Sequence, residues 1–308
     1  MKYKILVTPS AFSQNFVKEK LNKYKKFSFT LKKGPINNKN KLKRLLNNFD
    51  GVIIGSEILD ISTLKKIKKL KSIVRFGTSY ENIDLNYCKK KNIKVYKLKK
   101  TINSNAVALH NLTLILCLTH NIKKQIIYSN LNKWERCINL DPKNIKIGIF
   151  GMGNTGKKLS KMLSKIGYET YYYSRKSRIN LKNVKYVSSL KKLIEKSDIL
   201  SINITSNLST KNILNSKTLK LLKNKYIINT SRGDLIDEKT LFNLLKSNYI
   251  LGAGLDVYSN EPSVGISAKI RKLKNVIGTP HNAFFDKNTI TKMAISSINL
   301  MSKSFNGK

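Results

Sequence analysis

Residues 146–156 read Lys146-Ile147-Gly148-Ile149-Phe150-Gly151-Met152-Gly153-Asn154-Thr155-Gly156. A β-like run leads straight into Gly-x-Gly-x-x-Gly. The apolar positions that follow, Leu159, Met162, Leu163 and Ile166, recur at i, i+3, i+4 and i+7, which is one face of a helix. The glycines therefore fall where a strand turns into a helix. There Gly151 permits the tight turn, Gly153 lets backbone approach a pyrophosphate, and Gly156 lets the helix pack close to the sheet. The helix start adds free N–H groups and a partial positive charge. This spacing alone is a weak signal, but between a strand and a helix it reads as a dinucleotide-binding turn. Asn154 and Thr155 belong to the same candidate cofactor site.

Outward from this turn, strand-like and helix-like segments alternate. Downstream, strands are expected at 146–150, 170–173, 199–202, 226–229, 252–255 and 275–277. Upstream they are expected at 4–7, 52–54, 72–74 and 93–96, with an amphipathic helical stretch over 64–70. Such alternation predicts parallel α/β sheets. A long apolar helix without Gly or Pro is expected over 104–121, with Ser104 as N-cap, connecting two domains. Trp134 follows in a polar, turn-rich stretch. Residues 287–301 have helical periodicity and are expected to return to the first domain. The predicted domains are thus residues 1–102 (substrate domain, first part), 103–281 (Rossmann-type cofactor domain) and 282–308 (substrate domain, return helix).

The chain has 308 residues, of which 41% are hydrophobic, enough for two cores. No apolar run approaches the roughly 20 residues of a membrane span, and the N-terminus reads as a strand, not a signal peptide. Cys88, Cys117 and Cys137 have no metal-type spacing, so no metal site is expected and a reducing cytoplasm suits them. The net charge of +43 invites a nucleic-acid reading. Yet only Arg44, Arg75, Arg136, Arg175, Arg178, Arg232 and Arg271 are arginine, the residue that base readout and phosphate forks favour. The lysines are spread along the whole chain. They are read as a solvated surface that draws anionic substrates inward, with no nucleic-acid and no membrane partner.

The second strand of the cofactor unit ends Tyr173-Ser174-Arg175-Lys176. A carboxylate here would hold the ribose 2′-hydroxyl of NAD. Ser174 and Arg175 instead suit a 2′-phosphate, with Lys176 and Arg178 close in sequence. NADP is therefore the expected cofactor, with NAD possible.

Three further stretches each run from a β-like segment into polar residues: 227–237, containing Arg232; 252–262, containing Asp256 and Glu261; and 278–281, ending at His281. That places Arg232, Asp256, Glu261 and His281 near the carboxyl ends of strands, where open α/β sheets bind ligands. Together with Arg75-Phe76-Gly77-Thr78-Ser79-Tyr80-Glu81-Asn82-Ile83-Asp84 and Asn103-Ser104-Asn105-Ala106-Val107-Ala108, they closely resemble the D-isomer-specific 2-hydroxyacid dehydrogenases. That family includes phosphoglycerate, glyoxylate/hydroxypyruvate and D-lactate enzymes.

The resemblance implies a Rossmann-type domain inserted into a flavodoxin-like substrate domain, with a cleft that closes on a small 2-keto or 2-hydroxy acid, and a homodimer built on the connector-helix region. It implies that Arg232 clamps the substrate carboxylate and polarises the keto oxygen, that His281 is the acid/base, and that Glu261 orients it. It places Asp256 beside the nicotinamide carboxamide, and Gly77, Thr78 and Ser79 in a loop that holds the substrate carboxylate. His110 and His120, on the connector helix, are set aside as non-catalytic. Leu109 (usually Glu), Thr205 (commonly Pro) and Ser79 (usually Gly) depart from the family pattern, and Ser79 bears most on substrate identity. Two alternatives stand beside the glyoxylate/hydroxypyruvate reading: a 3-phosphoglycerate dehydrogenase, and a non-catalytic nucleotide-sensing regulator on the same fold.

Overall fold

The computed structural model describes residues 2–175 and 179–306. It divides into two compact units, one formed by Met1–Asn103 with Phe285–Lys308, the other by Ser104–Phe284. Among the described residues no helix is long and apolar enough to cross a membrane.

The first unit is a five-stranded parallel sheet of β1 (Tyr3–Val7), β2 (Phe27–Leu31), β3 (Gly51–Ile54), β4 (Ser72–Arg75) and β5 (Lys94–Lys97), in the order β2-β1-β3-β4-β5. This is the flavodoxin-like order. Its helices are α1 (Asn15–Leu21), α2 (Lys39–Leu46), α3 (Ile61–Leu64) and α4 (Leu85–Lys90). One face packs Leu6, Val52, Ile54 and Ile73 against Leu42, Leu46, Leu64 and Cys88. The last helix of the chain, Lys287–Phe305, returns to this unit and buries Ile290, Met293, Ala294, Ile298 and Met301 beside β3, β4 and β5. The amphipathic stretch 64–70 is not a helix: α3 ends at Leu64 and the next residues turn. Leu70 still buries, but as the lead into β4.

The second unit begins with α5 (Ser104–Thr119) and α6 (Ile122–Asn130). The long helix starts at Ser104 itself and stops two residues early, because Asn121 takes a left-handed conformation and begins a new helix. The sheet comprises β6 (Lys146–Phe150), β7 (Glu169–Tyr173), β8 (Val184–Tyr186), β9 (Ile199–Ile202), β10 (Tyr226–Asn229), β11 (Gly252–Leu255) and β12 (Val276–Gly278). Between them lie α7 (Asn154–Ile166), α8 (Leu190–Lys196), α9 (Ser216–Leu219), α10 (Glu238–Lys246) and α11 (Gly265–Lys272). All pairings are parallel, in the order β12-β11-β10-β9-β6-β7-β8.

Side-chain alternation feeds two cores. Ile147, Ile149, Ile199 and Ile228 face α5 and α7, while Phe150, Leu200, Ile202 and Ile227 face the opposite layer of α8 and α10. Covering both faces explains why these strands read as continuous apolar runs. Helix α5 is apolar all round for the same reason: it packs on α7, β10 and β11. The fold class expected from the sequence is borne out. The strand order reverses beside β6, between β9 and β7, and ligands of open α/β sheets bind at such a switch point.

Candidate active site

The glycine turn forms at that reversal. Gly151 has φ +103, and a Cβ there would come within 2.6 Å of the Asn203 carbonyl oxygen. A Cβ on Gly156 would collide with the carbonyl oxygen of Gly151, so helix and strand close on each other only through glycine. Gly153 differs: nothing lies within 4 Å of where its Cβ would be. Its smallness leaves open space at the start of α7, and no side chain caps that helix start. Amide N–H groups of Asn154, Thr155 and Gly156 at the uncapped end can receive a phosphate. The residues present therefore fit the pyrophosphate of a dinucleotide. Ser174 is half-buried and Arg175 exposed just beyond β7. Lys176 and Arg178 lie outside the described residues.

The carboxyl ends of β10, β11 and β12 assemble the charged groups. After β10, the Asn229 side chain takes the Ser231 N–H at 3.0 Å and donates to the Arg232 carbonyl at 2.8 Å, folding the turn that presents Arg232. A Cβ on the next residue, Gly233, would collide with the Tyr258–Ser259 backbone, so the two loops touch main chain to main chain. That contact sets Arg232 close to Glu261. Glu238, at the start of α10, accepts the Ser259 N–H at 2.8 Å and the Ser267 hydroxyl at 2.5 Å and steadies the same loop.

Glu261 Oε2 lies 2.6 Å from His281 Nδ1, and Oε1 takes the Tyr258 N–H at 3.1 Å. Desolvation pushes the Glu261 pKa up, but the hydrogen bond and charge of His281, the Tyr258 N–H and the charge of Arg232 outweigh it and hold the pKa below its ordinary value. Glu261 is therefore an acceptor at neutral pH, so His281 Nδ1 carries the hydrogen and Nε2 is left for other work. The side chain of His281 is 39% exposed, open enough to meet a substrate.

Asp256 is fully buried. Its carboxylate accepts the Thr279 hydroxyl at 2.5 Å, the Asn282 N–H at 2.7 Å and the Ala283 N–H at 3.0 Å, while its carbonyl takes the His281 N–H at 2.8 Å. These bonds hold His281 at φ +53, a left-handed conformation uncommon for a side-chain-bearing residue and often found at functional sites. Each polar group of the Asp256 side chain is thus occupied with backbone and Thr279.

Two residues that the sequence reading set aside or passed over come into the same region from α5. His110 Nε2 lies 3.0 Å from Thr279 Oγ1. Asn111, fully buried, donates to Thr230 Oγ1 and accepts from Ser201 Oγ, both at 3.1 Å. A polar His-Asn pair inside an otherwise apolar helix was the available signal.

In the first unit, Gly77 follows β4 and lies under the Arg75 side chain, which would clash with any Cβ there. Asn82 ties this loop down by donating to the Gly55 and Glu57 carbonyls at 3.1 and 2.6 Å. Thr78 and Ser79 are half-buried. Ser79 does not take a positive φ, so the loop tolerates a side chain where a glycine is usual. Its hydroxyl oxygen is buried without a hydrogen-bond partner among the described residues. Of the other departures, Leu109 is exposed on α5 and the Thr205 carbonyl accepts the Thr210 hydroxyl at 2.8 Å.

Comparison with known proteins meets this geometry. Residues 112–283 match the family described as D-isomer specific 2-hydroxyacid dehydrogenase, NAD binding domain. A glyoxylate reductase of Thermococcus litoralis is 30% identical over 243 residues, covering 75% of this chain and 72% of that protein. A hydroxypyruvate reductase of Thermotoga maritima is 30% identical over 249 residues, covering 79% and 80%. Among solved structures, an acyclic imino acid reductase (Bsp5) in complex with NADPH and D-Arg superposes with a TM-score of 0.80 at 28% identity, over 97% of this chain and 96% of that one. In this chain a glycine turn stands at the switch point, and Arg232 and the His281–Glu261 pair stand at the neighbouring strand ends. The chain belongs to the D-isomer-specific 2-hydroxyacid dehydrogenases and is an oxidoreductase of CH–OH groups that uses a nicotinamide cofactor.

Proposed function

We propose that this dehydrogenase acts on a small 2-keto/2-hydroxy acid of the glyoxylate or hydroxypyruvate type, with His281 as acid/base, Glu261 as its partner and Arg232 as the substrate clamp. The observation that carries the proposal is the 2.6 Å His281–Glu261 bond, with Arg232 brought beside the same carboxylate. The names of the two relatives support this substrate class over 3-phosphoglycerate. A hydrogen-bonded histidine–glutamate pair presented to solvent is also more than a nucleotide sensor needs.

The nicotinamide, when bound, supplies or accepts the hydride. Everything else falls to this chain. Arg232 offers a planar, permanently charged fork that can hold a carboxylate and attract the electron density of the keto oxygen. In reduction, His281 Nε2 gives its proton to that oxygen; in oxidation it takes the proton from the hydroxyl. Glu261, bound to Nδ1, holds the ring tautomer and orientation throughout. For Gly77, Thr78 and Ser79 the proposed role is a hold on the substrate carboxylate through backbone N–H groups. Gly151, Gly153, Asn154, Thr155 and Gly156 would hold the pyrophosphate of the bound cofactor, and Asp256 would face its nicotinamide carboxamide. Ser174 and Arg175 favour NADP.

The proposal extends to assembly as a homodimer in the cytoplasm. Ile126, Leu131, Trp134 and Ile138 cluster in sequence after α5 and are 54%, 60%, 97% and 89% exposed, an apolar segment suited to meeting its own copy. Sedimentation of wild type against Trp134→Ala with Leu131→Asp checks this, and a wild-type monomer rejects it. The activity itself is tested by following reduced nicotinamide absorbance with glyoxylate, hydroxypyruvate, pyruvate and 3-phosphohydroxypyruvate. Best turnover on the phosphorylated acid would overturn the substrate assignment.

A further inference from the structure

We infer that His110 is a positioning residue for His281, acting through a directed hydrogen-bond relay of His110, Thr279 and Asp256. The inference rests on the reading of His281 as the acid/base. A hydroxyl has one hydrogen to donate. The Thr279 hydroxyl lies 2.5 Å from Asp256 Oδ1, and a carboxylate can only accept, so that hydrogen goes to Asp256. The contact of 3.0 Å between Thr279 Oγ1 and His110 Nε2 must then run the other way, with Nε2–H donating. This fixes His110 with hydrogen on Nε2, whether neutral or charged. Its Nε2 is also 3.6 Å from Oδ1 of Asp256, a fully buried carboxylate.

The relay has an output. The atoms of Asp256 hold residues 279, 281, 282 and 283 at once, and thereby the left-handed backbone of His281. Asp256 follows β11 and Thr279 follows β12, so each sits on a separate strand end. His110 comes from α5, which packs on both strands. One side chain on the helix therefore locks two strand ends together. Without His110, the Thr279 oxygen loses the donor that fixes its rotamer, and the 2.5 Å bond it gives to Asp256 is held less firmly in place. Charged bonds of this kind are strengthened by burial and lose most when one member is removed.

The test compares variants of the intact enzyme. His110→Leu should lower kcat by about tenfold, the worth of one buried hydrogen bond, while KM for the reduced cofactor stays near wild type. His110→Gln, whose amide N–H can reach Thr279, should recover most of that loss. In a Thr279→Val background, His110→Leu should cost nothing further, because the relay is already cut. His110→Asn, too short to reach Thr279, replaces the leucine variant if that one does not fold. Wild-type kcat in His110→Leu or His110→Asn, no recovery by glutamine, or independent losses in the double variant would each overturn the relay. His281→Asn is measured in parallel. If it retains turnover, the acid/base reading is what fails; if it does not and the His110 variants behave as wild type, only the relay fails.

Discussion

Nδ1 of His281 is bound to Glu261 Oε2 at 2.6 Å, and the Glu261 pKa lies below its ordinary value, so the carboxylate accepts and the imidazole presents Nε2. A proton donor so placed is worth about 100-fold or more in turnover. His281→Ala should lose at least that much in kcat, with little change in the dissociation constant of the nicotinamide cofactor. A variant that turns over its best substrate at close to the wild-type rate would remove His281 from the chemistry.

Arg232 is presented by a turn that Asn229 braces from both ends. A guanidinium grips a carboxylate with two parallel bonds, whereas an ammonium offers a point charge. Arg232→Lys should therefore reduce kcat/KM by about tenfold or more even though charge is kept. Asn229→Ala should weaken the same parameter by loosening the turn. The measurement is kcat/KM for the keto acid at saturating cofactor, and an unchanged value in Arg232→Lys rules the clamp out.

The Glu261 pair also makes a statement about pH. Because its pKa is lowered in the folded state, it contributes stability that is fully present above the unfolded carboxylate value of about 4.3 and is lost as pH falls through the folded value. Glu261→Gln should melt below wild type at pH 7, and the gap in Tm should close as the pH is taken below about 4. A gap that stays constant across that range would show that the His281 bond does not hold the proton off Glu261.

Much of this molecule is legible in its sequence. The strands 146–150, 199–202, 226–229 and 252–255 are buried on both faces, and burial on both faces writes itself as an unbroken apolar run. β2 and β8 were not legible. In Phe27–Leu31 only Phe27 is buried, and in Val184–Tyr186 only Val184. Edge strands of that kind alternate apolar and polar residues, as in Phe27-Ser28-Phe29-Thr30-Leu31, and lack the continuous apolar run of the buried strands. Helix α6 has no buried residue and is mostly polar, so its periodicity had nothing to follow. At the site, Arg232, Glu261 and His281 stood out through motifs. His110 did not, although it lies two residues after Ala108, because a histidine on an apolar helix gains its meaning only when α5 is laid across β11 and β12.

β7 pairs with β6 in register, Phe150 opposite Tyr173, so the residues just after Tyr173 lie next to the glycine turn that starts after Phe150. Gly151 N–H donates to the Tyr173 carbonyl at 2.9 Å and fixes that adjacency. In a dinucleotide held by the start of α7, this strand end is where the adenosine ribose arrives. An acidic residue there would repel a 2′-phosphate; Ser174 does not, and Arg175 is exposed and able to reach one. A charge-assisted contact contributes about 1.5–3 kcal/mol, a tenfold to roughly hundredfold preference. NADPH should accordingly give the higher kcat/KM, and Ser174→Asp with Arg175→Ala should reverse or abolish the difference. Both reduced cofactors are compared at saturating keto acid. A wild-type preference for NADH would mean that Ser174 and Arg175 do not face the ribose, and the assignment of this strand end would have to be given up.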